Sequence, residues 1–125
     1  MAYEENMKTV TMIAGADLSA VTNQYKFVKL NSTANTIVLC GDGEDAFGVL
    51  QDTPQSGEAA CVCVGGITKV YAGATFNPGV VISSGAGGVA NTSANGDYML
   101  GKAVLGGADG VITSMLFQPT GIDPT

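Results

Sequence analysis

The stretch that decides the fold is residues 47–117, a series of short apolar runs separated by Gly, Asn or Pro. The runs read AFGVLQ (46–51), AACVCVGGITKVYAG (59–73), PGVVISS (78–84), GGVANT (87–92), YMLGKAVLGG (98–107) and DGVITSMLF (109–117). Short runs rich in Val and Ile that end in turn residues are typical of strands in a small β-sandwich or β-barrel. No helical periodicity longer than one or two turns accompanies them. The sequence therefore predicts an all-β fold.

Residues 59–64 are continuously apolar, which predicts a strand that is buried on both faces. Gly65 and Gly66 permit a bulge or a sharp bend, after which residues 67–71 continue the strand. Earlier strands are expected at 25–30 and 36–40, because both segments are rich in β-branched and aromatic residues and end at turn residues.

The chain divides into three predicted parts: an N-terminal arm or first strand (1–23), a β-barrel or sandwich domain (24–118) and a tail (119–125). The first fifteen residues lack the alternation of the later strands. They nevertheless carry five apolar side chains, namely Tyr3, Met7, Val10, Met12 and Ile13. With no obvious strand partner inside the chain, this segment is expected to be an arm that a neighbouring molecule orders by strand addition. The alternative is that residues 9–13 form an ordinary first strand.

The composition favours a protein that works through its surface. Charged residues are 13% of the chain, hydrophobic residues are 46%, and the net charge is −6. So little charge suggests that a partner covers part of the surface. All five cations are lysines, and the absence of Arg argues against nucleic-acid binding. The acidic balance argues against binding to an acidic membrane surface, and no apolar run is long enough to span a membrane.

The N-terminus does not resemble a secretory signal, since it has acidic residues before its first Lys and no clean apolar stretch. We therefore expect the protein to stay in the cytoplasm where it is made. The three cysteines, Cys40, Cys61 and Cys63, are an odd number, which argues against a disulfide framework. Their spacing and the absence of His do not suit a zinc site. We expect reduced, metal-free thiols, at least partly buried.

Catalytic motifs are weak throughout the chain. The absence of His excludes triads that depend on it. Residues 14–20, AGADLSA, resemble the first motif of trimeric dUTP pyrophosphatases, but the later motifs of that family need Arg. The acidic loop with Asp42, Glu44 and Asp45 lacks a known calcium-binding pattern, so a solvated turn is favoured. The sequence predicts neither an enzyme nor a cofactor.

The order of the pieces from Phe47 onward resembles the capsid cement, or head decoration, proteins of tailed bacteriophages. The resemblance rests on FGVL (47–50), the Gly57-Glu58 turn with the strand 59–64, PGVV (78–81), GGV (87–89), LGKAV (100–104) and GVI (110–112). It implies a β-barrel or tulip-like domain with an extended N-terminal arm. It also implies a homotrimer on the outer surface of the virion, made in the host cytoplasm, which stabilises the capsid.

On this resemblance, the partners are the major capsid protein and further copies of the chain. The predicted capsid-contact residues are Tyr3, Met7, Val10, Met12 and Ile13. Two alternatives stay open. One is another structural β module of the virion, such as a tail or fibre piece. The other is a small enzyme like the trimeric dUTP pyrophosphatases.

Overall fold

The computed structural model describes residues 2–124, and its regular structure there consists of nine β-strands and two 3-10 turns. The strands are β1 (Glu5–Ala14), β2 (Phe27–Leu30), β3 (Thr36–Leu39), β4 (Gly48–Leu50), β5 (Ala59–Tyr71), β6 (Val81–Ser84), β7 (Ala90–Thr92), β8 (Tyr98–Ala103) and β9 (Ile112–Ile122). The 3-10 turns cover Val21–Asn23 and Ala86–Gly88. The all-β prediction is confirmed. Met1 and Thr125, the ends of the predicted arm and tail, lie outside the described residues.

The sheet is closed in its first half and open in its second. The pairings β1–β3, β3–β2, β2–β4, β4–β5 and β5–β1 form a closed circuit of five strands. The second half of β5 pairs with β9, and the sheet continues from there through β8 and β6 to β7. Within residues 2–124, the two helical segments are short turns, and none is long and apolar enough to cross a membrane.

Two apolar cores lie on opposite faces of β5. The smaller core takes Ala14, Val28, Ile37, Leu50, Ala60 and Val62 from the five ring strands, and Leu18 from the connection after β1. The larger core includes Phe27, Cys40, Val49, Cys63, Val70, Ile82, Leu100, Met115 and Phe117. The neighbouring residues Val62 and Cys63 are both 0% exposed, but they belong to different cores. The predicted burial of this strand on both faces is therefore confirmed.

The two predicted halves of β5 form one strand, and its pairing with β1 has a bulge between Cys63 and Gly65, next to Gly66. Gly66 has a φ of +94°, a conformation that side chains rarely adopt, and a Cβ there would collide with the backbone of Asn6. The register of β1 against β5 shifts in the same region, between Glu5 and Lys8 and again between Lys8 and Thr9. The bulge lets residues 59–71 serve both the ring and the open part of the sheet.

The N-terminal part differs from the expected arm. Residues Glu5 to Ile13 pair with β5, and Ile13 and Ala14 pair with β3. The expectation that this segment has no strand partner inside the chain is therefore wrong. The physical reason is the length of β5, which pairs on one side with β4 and β9 in turn and leaves its other side free for β1.

The prediction that a tail begins at residue 119 is also wrong for residues 119–122, because β9 continues through Pro119 to Ile122. Tyr98 and Met99 of β8 pair with Ile122 and Gly121. Proline is tolerated because β9 leaves β5 after Phe117 and because a register shift against β8 puts residues 118–120 between paired positions.

Candidate interaction surfaces

The N-terminal segment (residues 2–5) is fixed to the outer side of the last strand. The main-chain N–H of Tyr3 donates a hydrogen bond to Ser114 Oγ (2.6 Å), and Ser114 Oγ donates one to the Tyr3 carbonyl oxygen (2.8 Å). Ser114 is 0% exposed, whereas the Tyr3 side chain remains exposed. The segment therefore crosses β5 from the start of β1 and reaches β9.

The structure divides the five predicted contact residues into two groups. Met7 packs against the larger core and Met12 against the smaller one. Tyr3, Val10 and Ile13 stay exposed, at 37%, 37% and 43%. Of the five predicted residues, these three present apolar surface to solvent.

The edge of β1 that faces away from β5 is largely unpaired. Ile13 N–H donates on that side to the Asn35 carbonyl oxygen of the turn before β3. Because main-chain groups alternate along a strand, Thr9 and Thr11 direct theirs to the same side. The pairings of β1 with β3 include only Ile13 and Ala14, so the part of the chain that the structure describes gives Thr9 and Thr11 no strand partner there. Such an edge is a template for an added strand.

Two adjacent depressions on β9 form a second surface, which we call the β9 groove. They share Leu116 and Gln118. One has a volume of about 400 Å³ and is also lined by Val81, Met99, Gly101, Lys102 and Thr120. The other has a volume of about 460 Å³ and is also lined by Lys8, Val64, Gly65, Gly66, Phe117 and Pro119. The charged residues in both linings are lysines.

Strand register explains why a lysine stands in this apolar groove. Val81 is paired with Lys102, Lys102 with Leu116, and Leu116 with Ile67. Directly opposite residues project from the same face of a sheet, so these side chains form one row. Lys102 lies in the predicted strand run 98–107, but the groove could not be predicted, because the row is formed by strands that are far apart in the sequence.

A third depression, of about 530 Å³, lies beside the acidic loop and is lined by Lys29, Leu30, Glu44, Asp45, Ala46, Phe47 and Tyr98. Lys29 Nζ and Glu44 Oε1 form an ion pair of 2.7 Å, and Glu44 Oε1 also accepts from the Gly41 N–H at 2.6 Å. These bonds, the one to Lys29 first, lower the pKa of Glu44. Glu44 therefore has a structural partner at the position considered for calcium.

The cysteines are free thiols of unequal exposure. Cys40 and Cys63 are buried and Cys61 is partly exposed, so the predicted partial burial is confirmed. Burial, with a smaller effect from the charge of Glu44, raises the pKa of Cys40 to about 12. Burial also raises the pKa of Cys63. Residues 2–124 contain no group of three or more His, Cys, Asp or Glu that could hold a metal ion.

The motif at residues 14–20 has a local structural role in this fold. Ala14 and Leu18 belong to the smaller core, and Leu18 N–H donates to the Pro54 carbonyl oxygen. Asp17 Oδ1 accepts from Ser19 N–H at 3.1 Å, and its hydrogen bonds to Ser19 lower its pKa. Core packing and turn formation therefore explain why these residue types occur at positions 14–20.

Comparisons with known proteins identify a shared fold. No protein-family model and no curated protein matches the chain. Among solved structures, the chain is similar to the N base of the head fiber protein gp8.5 of bacteriophage phi29. The two are 16% identical, the match covers 94% of this chain and 98% of that one, and the TM-score is 0.72. The likeness extends over the ring and the open part of the sheet.

Proposed function

We propose that this chain is a structural protein of a bacteriophage virion that binds the outer surface of the head and stabilises the capsid, as a homotrimer. The observation that carries the proposal is the fold match to a head fiber base over nearly the whole of both chains. The order of short motifs between residues 47 and 112, which resembles the capsid cement proteins, supports it independently.

The physical chemistry of the chain suits this role. A subunit that binds the intact shell but not its ruptured form stabilises the shell by mass action. Such binding needs apolar contact area and many copies of the subunit, and titratable groups are not required. The chain has few charged residues, and Val10 and Ile13 are exposed on a strand with an unpaired edge. Its net charge of −6 would keep decorated particles apart in solution.

The proposed capsid contact is the outer edge of β1. An extended segment of the major capsid protein would add to this edge through the main-chain groups of Thr9 and Thr11. Val10 and Ile13 would supply the apolar contacts beside the added strand. Met7 and Met12 would support the strand from the two cores rather than touch the capsid.

A second candidate function is the base of a head fibre, because the similar solved structure is the base of one. A fibre base shares the attachment to the head but also carries an extended part away from it. Images of the virion separate the two functions, since decoration gives compact knobs and a fibre base gives a projecting rod.

The proposal is tested with heads of the parent phage that lack this protein. Purified protein is added, and co-sedimentation with the heads and retention of DNA on heating are measured. We expect saturable binding and a higher temperature of DNA release. The double variant Val10→Thr and Ile13→Thr should bind more weakly, whereas Val21→Thr, at a residue that is 79% exposed outside β1, should bind normally. Absence of binding by the wild-type protein would refute the proposal.

A further inference from the structure

We propose that the β9 groove binds the acidic N-terminal segment of a second copy of this chain. The inference deepens the proposed function, since it rests on the homotrimer and assigns the contact that holds the trimer together.

The β9 groove carries positive charge in an acidic chain. Lys8 and Lys102 are its charged residues, in a chain that has eleven carboxylates and five lysines. Within residues 2–124, Lys29 and Glu44 form an ion pair, and neither Lys8 nor Lys102 forms one. Two lysines beside the apolar side chains of Val81, Met99 and Leu116 favour an occupant that combines carboxylates with an apolar group.

The N-terminal segment has a composition that complements the groove. It reads AYEE and contains one aromatic side chain followed by two carboxylates. Tyr3, Glu4 and Glu5 are all exposed. Glu4 and Glu5 can satisfy two lysines, while Tyr3 offers the apolar body and polar tip that are common at protein interfaces.

Within one chain, Glu5 lies far from Lys102 along the sheet. Glu5 is paired with Ile67, at the end of the row that continues through Leu116 to Lys102. Glu5 is thus three strands from Lys102, or roughly 14 Å at the usual strand spacing. Lys102 forms no ion pair within residues 2–124 and is therefore open to a carboxylate of another copy.

The contact between Tyr3 and Ser114 shows that this segment can pack on β9. Both main-chain polar groups of Tyr3 bond to Ser114 on the outward side of the strand. Leu116 is two residues further along, on the same side and roughly 6.6 Å away. A segment of one copy that binds the groove of the next makes a head-to-tail contact, and three such contacts can close a ring.

The experiment measures self-association by sedimentation velocity and native mass spectrometry. The double variant Lys8→Glu and Lys102→Glu should raise the dissociation constant of the assembly by about ten-fold or more, since two ion pairs become repulsive. The double variant Glu4→Lys and Glu5→Lys should do the same. An equimolar mixture of the two variants should associate more strongly than either variant alone, because a ring of three that contains both has two complementary contacts and only one repulsive contact.

Lys26→Glu is the matched control, since it makes the same charge change at a lysine that lies over the Tyr71 ring, outside the groove. Circular dichroism and thermal melting of each variant establish that it is folded, and Lys102→Arg should assemble like the wild type. A wild-type protein that stays monomeric, or variants that assemble as well as the wild type, would overturn the inference. Capsid binding is measured separately, so a chain that self-associates in this way but does not bind heads refutes only the proposed function.

Discussion

Tyr3 and Ser114 exchange two hydrogen bonds across 111 residues of sequence, and these bonds tie the beginning of the described chain to its last strand. The Ser114 hydroxyl is both acceptor and donor to the same residue, and it is shielded from solvent. The N-terminal segment is therefore part of the folded domain, although its side chains stay exposed.

Ser114→Ala should destabilise the protein by about 1–2 kcal/mol, because it leaves the partly buried N–H and C=O of Tyr3 without their partner. Urea denaturation measures this loss, and hydrogen exchange at the Tyr3 amide should become faster. Ser32→Ala is the control, since Ser32 is exposed and bonds only to the adjacent Asn31. Unchanged exchange at Tyr3 in Ser114→Ala would show that the contact does not form in solution.

Two truncations should have different outcomes. Removal of residues 1–4 should leave a cooperatively folded domain of lower stability, because β1 and both cores remain. Removal of residues 1–14 should abolish folding, because it opens the five-strand ring and removes Met12 and Ala14 from the smaller core. Circular dichroism and thermal melting measure both. A longer truncation that melts like the full chain would mean that β1 is a detachable arm.

The cysteines should react with a thiol reagent in two stages. Cys61 is partly exposed, so at pH 8 one thiol per chain should be labelled in the folded state. Cys40 and Cys63 are buried, and their raised pKa values keep them protonated, so they should react only on unfolding. In Cys61→Ser the first stage should disappear. Rapid labelling of two or three thiols in the native protein would contradict this account.

The stability of the protein should fall at high pH partly because of Cys40. Its pKa is raised from 9.0 to about 12 in the folded state, so the folded form holds this proton more tightly than the unfolded form. The stabilisation is complete below pH 9 and is lost as the pH rises towards 12, at up to about 1.4 kcal/mol per pH unit. In Cys40→Ala, the free energy of unfolding measured by urea denaturation should fall less steeply as the pH rises between those values. Equal slopes would exclude Cys40 as a source.

The Lys29–Glu44 ion pair should make the stability of the protein fall at acidic pH, whereas Cys40 acts at alkaline pH. The bond to Lys29 is the main cause of the lowered pKa of Glu44, so this carboxylate stabilises the fold above its unfolded pKa and loses that effect as the pH falls through its folded pKa. In Lys29→Met, the pKa of Glu44 measured by NMR titration should rise towards its ordinary value. Lys26→Met should leave it unchanged. The same pKa for Glu44 in both variants would show that the bond to Lys29 is not the main cause of its lowered pKa.

Local sequence patterns predicted the strands but not how they pair. The apolar run at 59–64 and the glycine pair after it were sufficient to predict β5, its bulge and its burial on both faces. The pairing of β1 with β5 was missed because the apolar residues within 5–13, at positions 7, 10, 12 and 13, do not alternate, and the register against β5 shifts on both sides of Lys8. A pattern with such a shift no longer has a period of two.

The β9 groove could not be predicted for a related reason. Gly101 has a φ of +149°, and a Cβ there would collide with the Leu116 carbonyl oxygen. The irregularity at this residue puts Leu100 in the larger core while Met99 and Lys102 line the groove. The sequence LGKA shows the glycine but does not reveal which neighbours turn outward.

We propose that this chain is a structural protein on the outside of a phage head. Cryo-electron microscopy of the parent virion, beside particles from a phage with the gene deleted, tests this proposal. We expect difference density on the outer surface of the head that fits the nine-stranded domain in groups of three, with the edge of β1 towards the capsid. Difference density confined to the tail, or the absence of any difference on the particle, would contradict it.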